Sequence, residues 1–65
     1  MIEQFGIHAG KVWSVLDENG KLEVKEVKKL TKLTDKNLYV ALGWLGREGK
    51  INLEEEGKEI FVSLI

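Results

Sequence analysis

The apolar spacing between Glu26 and Ile51 leaves this chain few ways to fold. Leu30 and Leu33 are followed by Thr34, then by Leu38, Leu42 and Leu45, then by Gly49 and Ile51. Steps of three and four residues put Leu38, Ala41, Leu42 and Leu45 on one side of a helix. Thr34 or Asp35 is suited to cap that helix, because its side-chain oxygen can accept an orphan backbone N–H of the first turn. Gly49 stops it near Glu48, because glycine enters a left-handed backbone without a Cβ penalty. The stretch therefore reads as a short helix, a tight turn, a second helix and an immediate strand.

The flanks extend this pattern. Phe5, Ala9, Val12, Trp13 and Leu16 follow helical spacing, which predicts a first helix from about Ile2 or Phe5 to Glu18, closed by Asn19-Gly20. Lys21-Leu22-Glu23 is short and extended. A second helix over about Val24–Thr31 is expected to bury Val24, Val27 and Leu30. After Gly49, residues 51–54 and 60–64 alternate as strands do, and Glu56-Gly57 suits the turn of a hairpin. The expected fold class is α+β, with three helices, a C-terminal two-stranded hairpin and a short extra strand near 21–23. At 65 residues the chain forms a single domain spanning 1–65, with no internal repeat.

This skeleton resembles the winged helix-turn-helix domains, through Leu33-Thr34 followed by Leu38, Leu42, Leu45, Gly49 and Ile51. The resemblance covers residues 22–64 and is nearest to small stand-alone winged helix-turn-helix proteins of unassigned function. It implies a fold whose usual work is binding DNA in transcription regulation, and family members that pair as homodimers. Two positions depart from the common pattern. Lys28 stands where a small residue is usual, and Lys32 where the turn usually has glycine. Lysine tolerates a left-handed backbone less well than glycine, so a looser turn is expected.

Composition bounds the function. Ten Lys and Arg against eleven Asp and Glu leave a net charge of −1, which argues against strong non-specific DNA binding. The charge is uneven, however. Residues 20–33 hold five lysines against two glutamates, while 50–65 hold two lysines against four glutamates. A basic middle between acidic flanks can steer a polyanion to one face. The candidate DNA contacts are Lys25, Lys28, Lys29 and Lys32 on the second helix, with Lys36, Asn37, Tyr39 and Arg47 on the third. Lysines along a helix suit phosphates, which fix position without reading sequence. Donors near the start of a recognition helix suit base edges. Val40 and Gly43 on the same outward face offer only apolar contact or close approach. Glu54-Glu55-Glu56 at the hairpin tip would be repelled by a phosphate backbone. Weak duplex binding is the expectation.

A different partner is suggested by the large apolar residues Ile2, Phe5, Trp13, Trp44, Phe61 and Ile65, more than so small a core can bury. With no cysteine to form a disulfide, they are the candidate interface of a homodimer. The alternative function is thus a dimerising protein-interaction module without significant DNA binding. Catalysis finds no support: His8 stands alone, no cysteine is present, and no glycine-rich phosphate loop occurs. No catalytic residue, metal site, cofactor or small-molecule ligand is expected. The N-terminus lacks the features of a signal peptide, and no segment is long enough to span a bilayer, so a cytoplasmic location is expected.

Overall fold

The computed structural model describes the backbone of residues 2–65 and the side chains of residues 6–65. Its elements are α1 (Ile2–Asn19), β1 (Leu22–Glu23), α2 (Val24–Thr31), α3 (Asp35–Arg47), β2 (Ile51–Glu56) and β3 (Glu59–Leu64). The order is the α-β-α-α-β-β expected from the sequence. The hairpin is longer than expected, since its strands run on to Glu56 and back from Glu59 around Gly57-Lys58. Gly57 sits at φ 62°, in the left-handed region that such a turn requires. The extra strand at Leu22–Glu23 is real and joins the hairpin, giving a three-stranded antiparallel sheet in the order β1-β3-β2.

One core holds the layers together. α1 contributes Ala9, Val12 and Leu16, α2 contributes Val24 and Val27, and α3 contributes Leu38, Ala41, Leu42 and Leu45. Leu33 from the turn, Ile51 and Val62 complete it. The α3 face is the one the leucine spacing predicts, and all four of its members are buried. The sheet presents Ile51 and Val62 to the helices, so Phe61, one residue away, points to the outer side.

α2 corrects the sequence reading. Leu30 is 49% exposed, and Thr31 is buried in its place. At about 100° per residue Thr31 returns to within about 20° of Val24, whereas Leu30 lies about 120° away. Helical angle outranks hydrophobicity here. The buried hydroxyl is satisfied locally, donating to the carbonyl of Val27 at 2.8 Å.

The helix-turn-helix turn is also tighter than expected. Lys32 adopts φ 60° and ψ 22°, the left-handed conformation, and its N–H donates to the carbonyl of Lys28 at 2.9 Å. Lysine thus does the work usually given to glycine, at a cost of about 1–2 kcal/mol in backbone strain. Of the two candidate caps, Thr34 rather than Asp35 caps α3, its hydroxyl accepting from the N–H of Asn37 at 3.2 Å. At the far end Gly49, with φ 70°, turns the chain into β2.

Candidate nucleic-acid interface

The α2-turn-α3 unit places the expected cations at the surface. Lys25, Lys28, Lys29, Lys32, Lys36 and Arg47 are all exposed. Lys28, however, is engaged: its ammonium lies 2.7 Å from the carboxylate of Asp35, the first residue of α3. Both partners are well exposed, so the pair adds little stability. Its effect is to neutralise one lysine of the stripe and to link α2 with the start of α3. Lys32 lies in the turn rather than on the helix, so the stripe proper is Lys25, Lys28 and Lys29.

On α3, Lys36, Tyr39, Gly43 and Arg47 are exposed, while Asn37 and Val40 are half-buried. The outward face is therefore the one the helical angles gave. Tyr39, 59% exposed, shares a small cleft of about 110 Å³ with Lys25 of α2 and Lys58 of the hairpin turn. Lys58 was not among the residues singled out from the sequence. The signal was there, since it is the only cation in the acidic run 54–59, but only the hairpin's fold brings it toward Tyr39. Glu23 and Glu59 line the same cleft and oppose that charge.

The acidic hairpin is partly answered from within. Lys21 lies 3.0 Å from Glu54 and 3.6 Å from Glu56, with its ammonium 5.3 Å from the centre of the Phe61 ring. The hydrogen bond to Glu54 holds the Lys21 ammonium above its ordinary pKa.

The apolar candidates separate into different surfaces. Trp13 and Trp44 line one groove of about 470 Å³ between α1 and α3, together with Gly6, Gly10, Glu48 and Lys50. They are 41% and 37% exposed, so neither indole is swallowed by the core. Ile65, 75% exposed, lies beside that groove, because its N–H donates to the carbonyl of Lys50 at 3.1 Å. Phe61 does not belong with them. It is half-buried on the outer side of the sheet, beneath Lys21. Ile2 and Phe5 lie outside the residues whose side chains are described.

His8 on α1 is half-buried, and its Nδ1 is buried without a hydrogen-bond partner among the described residues. No group of residues able to hold a metal ion occurs among the described residues, and none of their helices is long and apolar enough to cross a membrane.

Comparison with known proteins agrees with this architecture. No curated protein matches the sequence significantly. The solution NMR structure of protein BT2368 from Bacteroides thetaiotaomicron superposes with a TM-score of 0.85 at 31% identity, covering 95% of this chain and 76% of that one. The family model described as a winged helix-turn-helix domain, DUF2582, matches residues 1–64. With helix-turn-helix, wing and sheet all in place, the chain belongs to the DUF2582 family of winged helix-turn-helix domains.

Proposed function

We propose that this domain binds duplex DNA weakly, as winged-helix transcriptional regulators do, in the cytoplasm and without catalysing a reaction or holding a cofactor. The observation that carries this reading is the exposure of Lys25, Lys29, Lys32 and Lys36 around the helix-turn-helix turn. In this reading Lys25, Lys29 and Lys32 meet phosphates, with Lys28 joining once it leaves Asp35. Lys36, Asn37 and Tyr39 then reach toward base edges, and Arg47 follows further along α3. The acidic hairpin keeps affinity low, and Lys58 is its single point of attraction. An NMR titration of the labelled protein with mixed-sequence duplex at low salt tests this. Shifts confined to residues 25–40 and Lys58 are expected; unchanged spectra at millimolar duplex would refute it.

A second reading rests on the groove between Trp13 and Trp44. Exposed indoles beside glycines offer a surface that a second copy of the chain can cover, with Ile65 at its margin. Homodimerisation and DNA binding are compatible, since the groove and the lysine stripe share no residue. Light scattering after gel filtration decides between dimer and monomer. A mass near 7.4 kDa at tens of micromolar protein would refute the dimer.

A further inference from the structure

α1 turns one face away from the core. Ala9, Val12 and Leu16 point inward. At about 100° per residue, Ser14 lies within about 15° of the direction opposite their mean. Gly10, Lys11, Ser14 and Glu18 are all exposed on this outer face. Two grooves flank it. The one toward α3 is the tryptophan groove, and the one toward α2, about 560 Å³, is lined by Lys11, Val15, Leu30 and Thr31. Gly10 and Ser14 line both, so the grooves are continuous across the helix.

Three features here serve nothing inside a single copy. A methyl group on Gly10 would meet no atom within 4 Å, so no packing within the chain calls for glycine there. Glycine in a helix interior is nonetheless weaker than alanine. Leu30 stands exposed at the mouth of the groove toward α2. Lys11 and Glu18 lie two turns apart on the α2 side of the face, and neither makes an ion pair among the described residues.

We propose that a second copy of the chain covers this face, with the two α1 helices antiparallel and Ser14 meeting its own twin at the two-fold axis. This geometry rests on the homodimer reading and gives it a direction and a register, both set by charge. Ser14 stands three residues after Lys11 and four before Glu18. An antiparallel pair centred on Ser14 therefore brings each Lys11 to the partner's Glu18 on the same flank. A parallel pair would set each charge level with its own kind. The two-fold exchanges the ends of the helices but keeps their flanks, so tryptophan groove meets tryptophan groove and Leu30 faces Leu30. Such a contact is self-complementary, as an isologous interface must be. Gly10, one turn from the axis, lets the two backbones come close.

The chain has no cysteine, so single-cysteine variants of the full chain report which residues meet. A disulfide needs Cα atoms within about 7 Å, so Ser14→Cys should form a covalent dimer under mild oxidation. Glu55→Cys on the hairpin should run as monomer on the same non-reducing gel. Lys11→Glu should weaken dimerisation about tenfold in sedimentation equilibrium, and adding Glu18→Lys should restore the parental affinity, as a charge pair across an interface requires. Gly10→Ala should raise the melting temperature of the dilute monomer through helix propensity, yet weaken the dimer several-fold. A merely structural role for Gly10 would not move the two in opposite directions. A parent of mass near 7.4 kDa at tens of micromolar protein would overturn the homodimer reading and this geometry together. A dimeric parent whose Ser14→Cys variant does not cross-link, or whose charge swap restores nothing, would overturn the geometry alone.

Discussion

The pair of helices α2–α3 and the pair of strands β2–β3 are neighbours in sequence and opposites in construction. The helical pair drives four residues of α3 into the core and leaves its cations outside. The strand pair is anchored at its base by Ile51 and Val62, while Leu53 and Ile60 further out stay exposed. One region is fixed by burial and carries positive charge. The other extends beyond the core and carries negative charge. A winged-helix domain that used both for DNA would carry cations on both. Here the wing carries one cation, Lys58, among its glutamates, so in the proposed DNA-binding reading the attraction falls on the helix-turn-helix.

The contrast in burial can be broken first, where the effect is largest. Leu42→Ala removes a 4% exposed side chain from the middle of α3 and should cost about 2–5 kcal/mol in urea denaturation. Leu53→Ala, at 53% exposure on the strand pair, should stay within about 0.5 kcal/mol. Similar costs at both sites would mean that the hairpin is packed as firmly as the helices, against the burial seen.

The contrast in charge comes next. Replacing Lys25, Lys28, Lys29 and Lys32 with glutamine should weaken binding to all duplex sequences alike and flatten its salt dependence, each lost phosphate contact removing about 0.9 from the slope. Replacing Glu54, Glu55 and Glu56 with glutamine should strengthen binding. Lys36→Ala or Asn37→Ala should instead change sequence preference. If the lysine variant binds as the parent does, α2 is not part of the interface.

The two apolar surfaces sharpen the comparison further. Trp13→Glu should convert a dimer to monomer and make the melting temperature independent of protein concentration, whereas Phe61→Glu should leave the mass unchanged. This reverses the expectation from sequence, which grouped Phe61 with the tryptophans. A monomeric Phe61→Glu variant would return the hairpin to the dimer interface.

The smallest effects lie in the helix-turn-helix turn itself. Thr34→Ala should cost about 1 kcal/mol through loss of the cap on Asn37. Lys32→Gly should stabilise slightly, since relief of about 1–2 kcal/mol of left-handed strain exceeds the roughly 0.5–1 kcal/mol of added chain entropy. A destabilised Lys32→Gly variant, measured by thermal melting, would show that the lysine side chain earns its place by contacts.

Much of the fold was legible because period and punctuation are local. Leu38, Ala41, Leu42 and Leu45 repeat at helical spacing, Thr34 offers an oxygen where one is needed, and Gly49 and Gly57 take positive φ where the chain reverses. Leu30 misled for a local reason too: it is apolar, but its angle on α2 takes it away from the core, and Thr31 shows that a polar residue can occupy the buried angle if its hydroxyl bonds to the preceding turn. The candidate interface was legible only as a list of exposed cations. Which of them remain free depends on how side chains meet across the turn, which residue spacing alone does not give, as the pairing of Lys28 with Asp35 shows.

The sequence by itself determined the order of elements, the α3 core face and the separation of charge between residues 20–33 and 50–65, since each depends on residue type and spacing along the chain. Only the tertiary structure decided that Trp13 and Trp44 meet in one groove while Phe61 faces away, that Lys58 shares a cleft with Tyr39, and that Lys21 crosses to the hairpin. Those are contacts between segments far apart in sequence, set by how the helices and sheet pack, and periodicity within one segment carries no information about them.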